Sequence, residues 1–164
     1  MRGDHELWKG NLMPKLVSGG AAVDDRGSVR FVNDFDFDGV KRFYQVQNHR
    51  QGFIRAWHGH EKEGKYVYVA QGSALVGAVK MEVREDLNDI HDALLEPEGE
   101  PQKFILSSEA PKVLWIPPNH ANGFMSLTTD LIIQFFSTSP LEESLGDDIR
   151  FPYDKWDIWD IEFK

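Results

Sequence analysis

Cysteine is absent from this chain of 164 residues, which excludes disulfide bonds and thiolate zinc sites. Basic residues are outnumbered: 18 lysines and arginines stand against 27 acidic residues, and the formal net charge is −9. A chain of this charge presents no broad basic face, so it is not expected to bind nucleic acid. It can still hold one anionic ligand with a few arginines and lysines inside a cleft.

Long hydrophobic runs are absent as well. No apolar stretch approaches the roughly 18–20 residues that a membrane-spanning helix needs. Residues 1–9 also lack the apolar middle of a signal peptide. We therefore expect a cytoplasmic protein with no membrane partner.

Aromatic residues, by contrast, are plentiful: 11 Phe, 5 Trp and 4 Tyr suit a β fold with aromatic walls. Short β-rich runs recur between clusters of Gly, Pro, Asn and Asp. Strands at such regular spacing predict an all-β sandwich or barrel. The predicted strands are residues 27–33, 40–48, 52–58, 65–71, 73–83, 102–106, 112–116 and 130–137.

The length suits one domain with one core, so we predict a single domain over residues 1–164. The expected parts outside the strands are an N-terminal arm (1–26), an acidic surface excursion with a short helical turn (84–101) and a C-terminal wrap (141–164). Within the wrap, Trp156 and Trp159 are expected to cover apolar surface of the barrel rather than to form a platform for a nucleobase.

The stretch from Gly52 to Gly72 resembles the first sequence motif of cupin barrels. Its order is a Gly, then His-x-His, then a Glu, then a second Gly. His58 and His60 follow Gly52 at the expected spacing, and Lys65 occupies the Glu position seven residues before Gly72.

The second cupin motif, Pro-x-Gly followed by a His, resembles residues 116–124 (IPPNHANGF). Pro117 fits, Asn119 replaces the Gly, and Asn122 replaces the His. A cupin metal centre needs about three histidines and one carboxylate around the ion. Because an ammonium repels a cation and an amide is a poor ligand for transition metals, we predict no metal and no other cofactor.

The same replacements resemble the dTDP-4-dehydrorhamnose 3,5-epimerase family, a metal-free branch of the cupins. Its Arg-Gly-Leu-His is similar to residues 55–58 (RAWH), and its Gly-Lys-Leu-Val to residues 64–67 (GKYV). Its N-terminal Asp-x-Arg-Gly or Glu-Arg-Gly resembles residues 25–27, its Gln-x-Asn resembles residues 45–48, and its Ile-Pro-x-Gly-Phe-Ala-His-Gly-Phe resembles residues 116–124. The resemblance covers roughly residues 20–138.

Two positions depart from that family. Asn122 stands in place of its second His, and Phe135 falls where its catalytic Tyr belongs. The C-terminal element that gives the catalytic His an Asp partner has no clear counterpart.

The resemblance implies a single-domain cupin or jelly-roll barrel that acts on a nucleotide-linked 4-keto sugar, in the biosynthesis of polysaccharide precursors. It implies His58 as the base that removes a proton beside the ketone, since imidazole titrates near neutrality. Lys65 would stabilise the enolate oxygen. Substrate contacts are expected from Arg26, Gln47, Asn48, Arg55, His60, His120 and Asn122. The family also exchanges N-terminal strands between subunits, so we expect a homodimer.

Two alternatives remain open. Residues 55–60 also resemble the Arg-Gly-Gly-His-x-His of sugar-nucleotide 3,4-ketoisomerases, in which a pair of histidines on one face can move a proton between neighbouring carbons. The barrel could instead bind a nucleotide sugar without any chemistry. A Tyr or His that faces His58 across the pocket would favour the epimerase.

Overall fold

A computed structural model of the protein describes residues 13–81 and 100–162. Twelve strands and one short helix lie in these ranges. The strands are β1 (Lys15–Ser18), β2 (Gly20–Asp24), β3 (Gly27–Phe31), β4 (Arg42–Val46), β5 (Ile54–His60), β6 (Lys65–Gln71), β7 (Ser73–Lys80), β8 (Gln102–Ser107), β9 (Lys112–Ile116), β10 (His120–Ser126), β11 (Ile132–Ser137) and β12 (Ile149–Arg150). The helix, α1, spans Leu141–Leu145.

The strands form two antiparallel sheets of five strands each. The first sheet has the order β1-β9-β6-β11-β4, and the second has the order β12-β5-β10-β7-β8. Strands β2 and β3 pair separately as a hairpin. The sheets pack face to face, because each strand alternates its side chains between an inner and an outer face. This is the predicted all-β jelly-roll barrel.

The core between the sheets is built from the inner faces of both. Val67 and Val69 on β6 pack with Val76 and Ala78 on β7, and Phe124 and Phe135 close one end. Burial of this apolar area is the main force that holds the sheets together. At that end the inner faces change from apolar to charged side chains, and a cavity begins there.

The chain after α1 covers the outer face of the second sheet. Trp156 and Trp159 are buried against Trp57 on β5, with ring centroids 5.3 and 5.1 Å away. The indole N–H groups of Trp57 and Trp159 both donate to the carbonyl of Tyr153, so neither polar group is buried without a partner. This packing stabilises β5 from the outer face of the second sheet.

All eight predicted strands are present, with ends shifted by a few residues. Strand β10, which carries His120 and Asn122, was not among the eight predicted strands, and the turn that precedes it is short. Only residues 117–119 form the turn, and Asn119 takes a left-handed backbone with φ of 61°. Most of the predicted excursion (84–101) lies outside the described residues. No helix in the described part of the chain is long and apolar enough to cross a membrane.

Candidate active site

A cavity of about 340 Å³ opens between the two sheets at their charged end. Its wall combines two histidines, four cationic side chains and an acidic one with a ring of apolar groups. The lining residues are Arg42, Tyr44, Val46, Arg55, His58, His60, Lys65, Asn122, Phe124, Phe135, Leu141, Ser144, Leu145, Asp148 and Arg150.

An irregularity in β5 brings Arg55 and His58 to the same cavity. His58 pairs with Asn122 of β10, whereas Arg55 pairs with Phe124, so the two residues between them oppose Gly123 alone. In a regular strand, side chains three residues apart point to opposite faces. The extra residue of this β-bulge reverses the alternation, and both side chains line the cavity.

Gly123 is what allows the bulge. A Cβ atom at this position would lie 2.9 Å from the Cα of Ala56 and 3.0 Å from the carbonyl oxygen of Arg55. Both are backbone atoms, so a larger residue could not be accommodated without moving β5. The glycine therefore fixes the separation of β5 and β10 at the site.

His58 is half-buried and is neutral at neutral pH. Burial lowers its pKa to about 4, and the positive charges of Arg150 and Lys65 add to that effect. The expectation that this imidazole titrates near neutrality is therefore corrected downward. The free nitrogen lone pair makes His58 able to accept a proton, although as a weaker base than an exposed histidine.

Glu63 is the centre of a buried ionic network beside the histidines. Its side chain is 0% exposed, and it accepts hydrogen bonds from Ser137 Oγ, from Ser144 Oγ at 3.0 Å and from Arg42 Nη2 at 3.2 Å. His60 Nε2 lies 3.1 Å from its Oε2. Nothing in the sequence indicates this role, because Glu63 follows Glu61 and Lys62 in a stretch that is typical of a solvated charged turn.

Lys65 completes that network. Its Nζ lies 3.9 Å from Glu63 Oε2 and 3.4 Å from His60 Nε2. Because a carboxylate only accepts, His60 Nε2 donates to Glu63, and Lys65 is held by charge against the same carboxylate. Burial and Lys65 lower the pKa of His60, while Glu63 acts in the opposite direction.

These positions do not suit a cupin metal. An ammonium group 3.4 Å from His60 Nε2 would repel a metal ion bound by that nitrogen. Asn122 lines the cavity, but its amide nitrogen donates to the carbonyl of His58 at 3.3 Å.

The other predicted contact residues fall at different distances from the cavity. Asn48 lies behind Arg55 and accepts from its Nε at 2.8 Å, which fixes the guanidinium. Gln47 is exposed and does not line the cavity. His120 borders a second cavity of about 210 Å³, so the structure does not bring it to His58. Arg26 lies at the tip of the β2–β3 hairpin, paired with Asp24, outside the cavity of its own chain.

Several cavity residues were missed by reasoning from the sequence. β4 contributes Arg42 and Tyr44, and Tyr44 pairs directly with Phe135 across the first sheet. β12 pairs with β5 so that Arg150 lies opposite His58, and Asp148 enters the cavity beside it. Asp148 is therefore an acidic neighbour whose charge acts to raise the pKa of His58, against the effects of burial and of Arg150. Only the tertiary pairing of a two-residue strand reveals it.

The two-sheet jelly roll, with a histidine- and cation-lined cavity at one end of its core, defines a cupin-type barrel. The sequence profile of the dTDP-4-dehydrorhamnose 3,5-epimerase family matches residues 21–158. The chain belongs to this family, whose members are sugar-nucleotide epimerases or isomerases. No curated protein matches the sequence.

Solved structures share the fold. The dTDP-4-dehydrorhamnose 3,5-epimerase from Sulfolobus tokodaii is 26% identical with a TM-score of 0.66, over 90% of this chain and 84% of that one. The Bacillus anthracis enzyme, with TDP and PPi bound, is 19% identical with a TM-score of 0.67, over 88% and 83%. A mutant of the 3,4-ketoisomerase QdtA from Thermoanaerobacterium thermosaccharolyticum, in complex with TDP-4-keto-6-deoxyglucose, is 18% identical with a TM-score of 0.60, over 87% and 90%.

Proposed function

We propose that this protein is an epimerase-like isomerase of a nucleotide-linked 4-keto sugar, in which His58 removes a proton from the carbon beside the ketone. The observation that carries the proposal is a neutral, half-buried imidazole in a cavity whose opposite wall holds a buried ammonium, Lys65. Proton removal places negative charge on the ketone oxygen, and a fixed cation stabilises that charge most where water is excluded.

The diphosphate of the substrate is expected to bind at the open side of the cavity. Arg55 is held by Asn48, and within the described residues Arg150 is paired only with Asp148, with 68% of its side chain exposed. Arginine binds phosphate oxygens with two parallel hydrogen bonds. Arg42 and Lys65 are already engaged with Glu63, so we expect them to contact the sugar rather than the phosphates.

A 3,4-ketoisomerase is the second candidate. His58 and His60 are alternate residues of β5 and line the same cavity, so they could move a proton between neighbouring carbons on one face of the sugar. The similarity to the QdtA ketoisomerase supports this reading. The third candidate is a barrel that binds the nucleotide sugar without catalysing a reaction. It predicts nucleotide binding with no exchange of sugar protons.

We also propose a cytoplasmic homodimer that needs no metal. The β2–β3 hairpin supports the dimer, because it stands apart from both sheets with Val23 79% and Val29 66% exposed. Arg26 at its tip lies outside the cavity of its own chain, so we expect it to contact a phosphate bound in a second copy.

The test combines nucleotide binding with proton exchange. Titration with dTDP, UDP, GDP and CDP should show saturable binding of at least one, weakened in Arg55→Ala and unchanged in Lys103→Ala, an exposed cation on β8. A panel of 4-keto sugar nucleotides incubated with the protein in D₂O should then show deuterium at a carbon beside the ketone. Inversion at that carbon supports the epimerase, and migration of the ketone supports the ketoisomerase. Failure of every nucleotide to bind would refute the proposal.

A further inference from the structure

Inversion of a carbon centre requires a proton donor on the side of the sugar opposite His58. His58 projects from β5 of the second sheet, so we look for the donor on the first sheet, which forms the facing wall of the cavity. That sheet contributes five residues to the cavity: Arg42, Tyr44, Val46, Lys65 and Phe135. Val46 and Phe135 carry no side-chain proton that could be transferred. The choice therefore lies between a guanidinium, an ammonium and a phenol.

Two of these groups are already committed. Arg42 donates to Glu63 and to Ser144, and a guanidinium does not release a proton in proteins. Lys65 is held between Glu63 and His60, where it supplies the counter-charge for the enolate oxygen. Among the residues that the structure describes, the hydroxyl of Tyr44 has no hydrogen-bond partner. It is the one phenol in the lining of this cavity.

Tyr44 is also rigidly placed. Its ring stacks on Phe135 with centroids 5.1 Å apart and planes 15° from parallel. Cζ of Arg42 lies 5.2 Å from the ring centroid, and Nζ of Lys65 lies 5.9 Å from it. A ring fixed in this way holds its hydroxyl in one position, and two nearby cations stabilise the phenolate that remains after donation.

We propose that Tyr44 is the catalytic acid that returns the proton on the face opposite His58, an inference that rests on the proposed function. His58 takes the proton from carbon, and the C–H electron pair forms the carbon–carbon double bond while the carbonyl pair moves to oxygen. As the carbonyl re-forms, the enolate carbon takes the hydroxyl proton of Tyr44 from the other side. The phenolate then regains a proton from water and His58 loses one to water, so the step needs no further reactant.

The experiment compares proton exchange with inversion in Tyr44→Phe, using a 4-keto sugar nucleotide in D₂O. We expect deuterium incorporation within about tenfold of the native rate and inversion slowed about a hundredfold or more, the scale of a lost general acid. Tyr68→Phe, a half-buried tyrosine on the outer face of the same sheet, should leave both rates unchanged. Phe135→Tyr added to Tyr44→Phe restores a phenol to the same wall, and inversion should rise at least tenfold above the single variant.

Inversion by Tyr44→Phe at the native rate would overturn the assignment. So would the joint loss of exchange and inversion in a variant that still binds nucleotide, because the phenol would then act in proton removal. If the double variant of Tyr44→Phe and Phe135→Tyr folds but inverts no faster than Tyr44→Phe, that result would count against the assignment as well. If the native protein exchanges no proton of any keto sugar, the proposed function itself is refuted. That result differs from a failure of the Tyr44 assignment, in which the native protein still exchanges protons.

Discussion

At the scale of single residues, the low pKa of His58, the proposed base, has a consequence for the pH dependence. The base must be neutral, so activity falls as the pH drops through the pKa of His58. We expect nuclear magnetic resonance titration of the free protein, and the acid limb of kcat/KM, to give a pKa near 4 rather than the ordinary value of about 6.5 for imidazole.

Arg150 provides the control for that titration. Its positive charge lowers the pKa of His58, so Arg150→Gln should move the titration to higher pH. A native pKa near 6.5 that Arg150→Gln leaves unchanged would mean that His58 is neither buried nor under this charge.

Lys65 can be tested with little risk to the fold. In Lys65→Met, Glu63 keeps Arg42, Ser137 and Ser144 as donors, so the buried carboxylate is not left without partners. We expect deuterium exchange into the sugar to fall about a hundredfold or more, the scale at which a lost stabilising group slows reaction. Lys62→Met, in the exposed turn three residues earlier, should have no effect. Equal exchange by both variants would remove Lys65 from the mechanism.

The sequence predicted which residues of β5 and β6 lie together, because their spacing follows a motif, and the structure has Arg55, His58, His60 and Lys65 in one cavity. It could not predict Tyr44. Counting along β11 to the position of the family's catalytic Tyr leads to Phe135, and only the pairing of β11 with β4 shows that Tyr44 lies beside that position. Glu63 and Asp148 were missed for a similar reason. Each lies in a charged stretch that is indistinguishable from a solvated surface until distant elements pack on it.

At the scale of elements, the β-bulge between β5 and β10 shapes the site. Replacing Gly123 with Ala forces a methyl group against the backbone of β5. We expect a loss of about 1–3 kcal/mol in the free energy of unfolding, as for overpacked cores, and weaker nucleotide binding as Arg55 shifts. Chemical denaturation measures the first quantity and titration the second.

Gly146→Ala is the matched control, because a Cβ there would meet only backbone oxygens at 3.7 and 3.8 Å. It should change stability by less than about 0.5 kcal/mol. Similar stabilities for the two variants would show that β5 adjusts freely and that the bulge does not depend on the glycine.

The strands β10 and β12 show why prediction of the elements failed in places. Eight strands could be predicted because turn residues separate them, but β10 is buried along its whole length between β5 and β7. A strand covered on both faces shows no alternation of apolar and polar residues, so the sequence pattern does not reveal it. Strand β12 has two residues, too few for any periodic signal.

At the scale of the whole molecule, the homodimer is the prediction that depends most on the hairpin. Light scattering should give about twice the mass of the chain, 18.8 kDa. The double variant Val23→Asp and Val29→Asp places charges on a surface that is open in the single chain, so it should fold and shift towards the monomer. Ile105→Asp, on the exposed side of β8, should remain a dimer. A monomeric native protein would contradict the proposal.

The central claim is that this barrel removes a proton from a nucleotide-linked keto sugar with His58. The most direct test is deuterium incorporation into a 4-keto sugar nucleotide by His58→Asn in D₂O, with nucleotide affinity measured in parallel and the exposed His49→Asn as control. We predict that His58→Asn folds, binds nucleotide within a few-fold of the native affinity and incorporates deuterium about a hundredfold or more slowly, while His49→Asn matches the native protein. Incorporation by His58→Asn at the native rate would contradict the claim.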